Sequence, residues 1–337
     1  MNTKRRLLRA SEGAALFFLA ALLRATTPPV AAPLEPAVFL AADKAGERVV
    51  VVGERGMIRL SDDRGTSWRS APVPVNVTLT AVRFADPLTG WATGHEGVIL
   101  KTNDGGASWK LVRGSPNDES PAPDDPADQS FFAERAPLFD LLALDPQRIW
   151  AVGAYGTALR SLDGGETWTP VTIGKNSDLH LFALVRDAGG ALWAAGEAGV
   201  LYVSRDGGRS WSLSPKMSPG SFFGGTALDN GGVLLFGLRG RVFVRQPVDG
   251  AWKKLPGLTQ RSLHGAVRVG KDTTLVGGAG GTLIFLNSRT GAADVRRLPV
   301  TRDIHCLLPL DADTVLIFSD GETRSYPLQQ LREGAQP

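Results

Sequence analysis

Short apolar runs of four to eight residues, rich in Val, Ile and Leu and each closed by Gly or Asp, recur along almost the whole chain, as in ERVVVVGE, MIRLS and GVILKTND. Runs of that length between turn residues predict β-strands. The polar positions between them repeat as well. Gly94 to Trp109, GHEGVILKTNDGGASW, shows the full unit: a Gly-x-x-Gly turn, a strand, then Thr-x-Asp-x-Gly-x-Ser-Trp. The turn recurs at Gly53/Gly56, Gly94/Gly97, Gly153/Gly156, Gly196/Gly199, Gly237/Gly240 and Gly278/Gly281, and at Phe318/Gly321 with its first glycine replaced. The periods are 41, 59, 43, 41, 41 and 40 residues. One four-stranded antiparallel sheet per repeat, seven times over, predicts an all-β, seven-bladed β-propeller.

The eight tryptophans fall into two registers of this repeat. Trp68, Trp109, Trp168, Trp211 and Trp252 lie 15 residues after the first glycine; Trp91, Trp150 and Trp193 lie three before it. A large ring held at one place in successive sheets is core chemistry, and it predicts one packing position between blades and one within the blade. Asp63, Asp104, Asp163 and Asp206 precede the first set in the hairpins SDDRGTSW, TNDGGASW, SLDGGETW and SRDGGRSW. Each aspartate is expected to accept backbone N–H groups inside its own turn. Four equivalent copies around a ring cannot all be one catalytic or calcium site. The hairpin decays to RQPVDGAW in blade five and NSRTGAAD in blade six, and the seventh copy ends without an outer strand. The Pro-rich residues after the leader, or the PLQQL tail, are candidates to complete it.

Composition changes this picture at the termini. Residues 1–32 combine MNTKRRLLRA, the apolar run Ala14–Leu23 and Val30-Ala31-Ala32, the three parts of a secretory signal peptide. Removing them takes the whole-chain charge of +3 to 32 basic against 33 acidic residues. A general attraction to nucleic acid therefore has no support. The propeller is expected over 33–328, with an acidic, Pro-rich loop insertion at 113–136 and a tail at 329–337. The only cysteine, Cys306, excludes an internal disulfide and a cysteine metal cage.

The four hairpins match the Asp-box, or bacterial neuraminidase repeat. With the leader, the seven repeats and strings such as GWATGHEGVILKTNDGGASW and IWAVGAYGTALRSLDGGETW, the chain from about Val38 to Tyr326 resembles the photosystem II stability and assembly factor family. That resemblance implies a non-enzymatic, monomeric propeller in a periplasmic or lumenal space. It would act as a protein-binding assembly or stability factor for membrane or envelope complexes, with no cofactor and no small-molecule substrate. The alternative is an Asp-box glycoside hydrolase of sialidase type or a carbohydrate-binding propeller. A sialidase needs a Tyr nucleophile with a carboxylate partner and an arginine cluster. Tyr155, in a Gly-x-x-Gly turn, is the one candidate that sits beside a channel, and the Arg-Ile-Pro tripeptide of the sialidase pattern is absent near the first blade.

Two groups of residues are candidates for chemistry. Threading the blades from the channel outward puts the Gly-x-x-Gly turns on one face and the Asp-boxes on the other. The first face collects Arg55, His95, Tyr155, Arg239, Arg261 and Arg302, with Lys175 near them and the acidic insertion on the same side. This is the expected partner-binding face, its arginines suited to carboxylates or a carboxy-terminus. Aligning the innermost strands places Phe39, Thr80, Phe139, His180, Phe223, His264 and His305 at one channel-facing position. His264 and His305, in adjacent blades, are the weak candidates for a metal; otherwise none is expected.

Overall fold

A Gly-x-x-Gly turn is needed where two stretches of backbone nearly touch. In a computed structural model of the chain, a Cβ on Gly94 would lie 2.2 Å from the Thr78 carbonyl oxygen, and one on Gly97 would lie 2.1 Å from that of Glu134. Gly94 thus lets the second strand cross the start of the first, and Gly97, at φ +61, lets the turn lie on the linker to the next blade. The structure describes residues 37–116, 134–174, 178–247, 250–298 and 302–334. The leader, most of the acidic insertion with Phe131 and Phe132, and Lys175 lie outside them.

Seven antiparallel sheets, each formed from consecutive strands, follow one another around the ring. Blade two is typical, with Leu79–Phe84 innermost, then Gly90–Gly94, Ile99–Thr102 and Lys110–Arg113. Six sheets have four strands. The seventh has three among the described residues, Ile304–Pro309, Thr314–Ser319 and Glu322–Pro327, and continues into a helix, Leu328–Glu333. The PLQQL segment is therefore helical rather than a strand, and the Pro-rich residues after the leader lie outside the described residues. Leu328 and Leu331 are buried with Leu275, Leu283 and Phe285 of blade six, where an outer-strand tryptophan would otherwise pack. Ser319 stands at the place of the first glycine, not Phe318, which is buried one residue earlier.

The two tryptophan registers meet each other across blade boundaries. Trp150 of blade three contacts Trp211 of blade four edge to face at 5.7 Å, and Trp193 contacts Trp252 of blade five at 5.4 Å. Trp91 Nε1 donates to the Gly164 carbonyl in the blade-three hairpin at 3.1 Å. Around the ring, apolar clusters join consecutive blades, and blade seven closes on blade one through Phe39, Val49, Val51 and Trp68 against Cys306, Leu308, Leu316 and Phe318.

Candidate partner-binding face

The residue before the second glycine of each turn adopts left-handed backbone: Arg55, Glu96, Tyr155, Ala198, Arg239 and Gly280, with φ of 52–60°. For a side-chain-bearing residue this conformation costs on the order of 1 kcal/mol. Arg55, Tyr155 and Arg239 are nonetheless held there and point to solvent, Tyr155 at 69% exposure. His95 is exposed one position earlier, so Glu96 is the structural counterpart of Arg55. Arg261 comes from the linker into blade six, is exposed, and lies over the backbone of Gly280. Arg302 is tied down: its guanidinium donates to the Asp320 carbonyl at 2.8 Å and sits 3.8 Å from Glu322. The same rim carries Glu54, Glu197 and Asp320, so it is mixed in charge, with exposed arginines between carboxylates. Both ends of the acidic insertion meet this face, because Ser115 N–H donates to the Glu96 carbonyl and Arg113 donates to the carbonyls of Gly97 and Glu134.

The inner-strand register differs from the sequence expectation at two blades. The residues paired with the turn's first position are Phe39, Leu79, Leu138, Leu181, Phe222, Leu263 and Ile304, all buried. The next residue of each strand, Leu40, Thr80, Phe139, Phe182, Phe223, His264 and His305, is half-buried and lines the central channel. Phe39 is thus a core residue, since the blade-one hairpin is one residue shorter. His180 lies two residues before Phe182, at the channel entrance. Blade four reads Leu179-His180-Leu181-Phe182, and a strand's period of two makes those two pairs equivalent in sequence.

Phe182 is the site residue that alignment missed. Its signal was the apolar-aromatic pair that opens most inner strands. It completes an arc of rings: Tyr155 to His180 at 4.9 Å, His180 to Phe182 at 5.8 Å, Phe139 to Phe182 at 5.2 Å, Phe182 to Phe223 at 5.9 Å and Phe223 to His264 at 6.5 Å. Tyr155 N–H donates to His180 Nδ1 at 3.0 Å, so the exposed turn is fixed to the arc. Tyr202 and Tyr326 are buried, which leaves Tyr155 as the exposed tyrosine, and among the described residues no carboxylate bonds its hydroxyl.

His264 and His305 do come together, their rings near-parallel at 6.3 Å. One nitrogen of each is engaged by the protein: His264 Nδ1 with the Ile304 carbonyl at 3.1 Å, and His305 Nε2 with Asp320 at 2.6 Å. The His305 hydrogen bond holds the Asp320 carboxyl below its usual range. Among the described residues no group of three His, Cys, Asp or Glu is arranged to hold a metal ion. Deeper in the channel, Asp43 accepts the Phe84 N–H of blade two, and Asp140 accepts the Leu184 N–H of blade four. Arg83 lies 3.3 Å from Asp140. Burial pushes both carboxyls up, against the pull of Arg83.

On the opposite face the Asp-boxes are self-contained. Asp163 accepts the Thr167 hydroxyl and N–H and the Ser161 hydroxyl, and Asp206 does the same with Ser210 and Ser204. These bonds, the Thr167 and Ser210 hydroxyls first, hold both carboxyls well below the usual range. Asp63 and Asp104 make the same contacts with Ser67 and Ser108. Trp68, Trp109 and Trp168 each donate Nε1 to a glycine carbonyl of their own turn. Trp211 packs on Trp150 instead. The aspartates are occupied in building turns.

The family described as photosynthesis system II assembly factor YCF48 matches residues 40–121 and 130–274, about two thirds of the chain. The chain belongs to the YCF48 family. The match ends where the Asp-box has already decayed, at blade six. The photosystem II assembly lipoprotein Ycf48 of Synechococcus sp. (strain CC9902) is 27% identical over 125 residues, 36% of this chain. That alignment spans about a third of the relative's own length. Among solved structures, YCF48 bound to D1 peptide superimposes with a TM-score of 0.68 at 16% identity, covering 88% of this chain and 95% of that one. Virginiamycin B lyase from Staphylococcus aureus superimposes with a TM-score of 0.69 at 11% identity, over 87% and 96% of the two chains. A YCF48-family protein and a lyase therefore share this architecture, and the fold alone does not choose between binding and catalysis.

Proposed function

We propose that this YCF48-family propeller is an exported, non-enzymatic factor that binds a protein partner, a membrane-protein complex or its assembly machinery, through the Gly-x-x-Gly face. The observation that carries the reading is the set of exposed Arg55, Tyr155 and Arg239 held in left-handed backbone around the channel mouth. Strained positions that carry protruding side chains are where function offsets a conformational cost. The solved YCF48 bound to D1 peptide supports a protein partner, and the leader-like residues 1–32 support export to a periplasmic or lumenal space. Arginines separated by carboxylates suit a partner segment that itself carries both apolar and acidic groups.

A photo-crosslinking residue placed at Arg239 in cells, with one on the Asp-box face at Arg209 as the control, tests this. Membrane proteins or their biogenesis factors captured from position 239 and not from 209 are expected. Capture confined to position 209 would move the interface to the other face. Purified protein that hydrolyses sialosides, with turnover abolished by Tyr155→Phe, would replace the reading by the enzyme.

A further inference from the structure

We propose that Phe139, Phe182 and Phe223 form a seat for one large apolar side chain of an extended partner segment, whose flanking carboxylates rest on Arg239 and Arg261. This rests on the reading that the Gly-x-x-Gly face binds a protein, and it names what the face recognises.

The central channel is a cavity of about 410 Å³, ringed at its mouth by the seven inner-strand positions. That is space for a side chain or two and not for a folded element. Three of the seven positions are phenylalanine, contiguous over blades three to five and half-buried in the absence of a partner. Beneath them Gly224 and Gly265 leave the inner strands of blades five and six without side chains, and Phe236 shows through as part of the cavity wall. The channel lining is mixed, but on the side of blades three to five it is a wall of half-buried rings, and an apolar group seated against that wall gains free energy.

The charges in the channel do not compete for a ligand. Asp43 accepts the N–H groups of Lys44 and Phe84; Asp140 accepts those of Leu141 and Leu184 and faces Arg83. Lys44 Nζ is bonded to the Leu310 carbonyl. Thr80, His264 and His305 line one side of the mouth, and what blades three to five leave on the other side is apolar. The guanidiniums of Arg239 and Arg261, in contrast, are exposed on the rim above blades five and six and form no ion pair among the described residues. Charge complementarity then places carboxylates beside the apolar anchor.

The ring geometry selects a side chain over a sugar. Phe182 meets Phe223 at 85° and His180 at 73°, and Phe139, the ring nearest to parallel with it, is still tilted by 36°. Rings that present edges to one another do not form the flat, continuous platform on which a pyranose stacks. They enclose a pocket that another ring or a branched aliphatic group can enter.

The test uses the full chain and a blocked, fluorescein-labelled peptide, Ser-Gly-Asp-Phe-Asp-Gly-Ser, with versions carrying Ala for Phe or Asn for both Asp. Anisotropy titration is expected to show about tenfold weaker binding for the Ala peptide, the factor that loss of one buried ring readily supplies. Phe223→Ala, and independently Phe182→Ala, should erase the Phe-over-Ala preference. Arg239→Glu with Arg261→Glu should erase the Asp-over-Asn preference and leave the Phe preference intact. Phe182→Leu, which keeps an apolar wall, should retain most of it, so a folding defect is told apart from loss of the seat. Equal binding of the Phe and Ala peptides, or a preference that survives in both alanine variants, overturns the seat. If crosslinks from position 239 still capture a partner in that case, the binding face stands and only the anchor falls.

Discussion

Two of the turns within each blade recur along this chain, and they have been treated oppositely. On the Asp-box face the hairpins of blades one to four repeat one pattern, and Asp63, Asp104, Asp163 and Asp206 are each satisfied by hydroxyl and N–H groups of their own turn. On the Gly-x-x-Gly face the backbone is repeated just as closely, but the left-handed position carries Arg, Glu, Tyr, Ala, Arg and Gly in successive blades. Where side chains build the fold, the repeat holds; where they face outward with little to bond, it diversifies. Invariance within one chain therefore marks structure here, and variation on an invariant backbone marks the surface available for recognition.

Substitutions on the two sides should separate stability from binding. The largest stability effect is expected at the blade boundary, where Trp150→Ala should cost about 3–5 kcal/mol in denaturant unfolding as a buried ring is lost. Gly208→Ala follows, at about 2–4 kcal/mol, since its Cβ would lie 2.0 Å from the Trp150 ring at φ +87. Asp206→Asn should lower the melting temperature at pH 7. Its folded carboxyl is depressed, so the contribution is complete above the unfolded value near 4 and is lost as pH falls through the folded one. The gap between wild type and variant should thus close on acidification, and a gap that widens would contradict the Asp-box role. The smallest effect belongs to the other face. Arg239→Gly trades relief of left-handed strain against added freedom of the unfolded chain, and should move stability by less than about 0.5 kcal/mol while weakening partner capture. A destabilisation as large as that of Gly208→Ala would show that the face is structural after all.

Much of this was legible before any coordinates. Glycine and tryptophan are forced by close approach and by ring-on-ring packing, so Gly94 and Trp109 have no cheap substitutes and their spacing writes the blade count into the chain. That the last repeat supplies blade seven with three strands among the described residues was visible for the same reason. The inner strands were less readable. Their alternation repeats every two residues, and Leu179-His180 imitates Leu181-Phe182 well enough to hide the residue that completes the aromatic arc. The Leu328–Glu333 helix was hidden because a six-residue segment takes its shape from what it packs on, here Leu283 and Phe285, rather than from its own propensity. Which rim arginines are spoken for was also beyond sequence, since Arg302 is bound by a carbonyl of the neighbouring turn.

The seam between the last blade and the first has a mechanical meaning. In the described sheets no strand is shared across it; the joint consists of the Phe39, Trp68, Cys306 and Phe318 side chains, a Lys44 hydrogen bond to the Leu310 carbonyl and the Arg64–Asp311 ion pair. Among the described residues every sheet is thus a contiguous stretch of chain that can form before the next is synthesised, and what fastens the circle there is side-chain contact. Such a ring is a linear stack bent until its ends adhere. Pulled at those ends it should part at the seam and then release one blade at a time, and a circular permutant opened in the Pro72–Val77 linker should still close, because the seam can be covalent and any other junction can serve as the fastening.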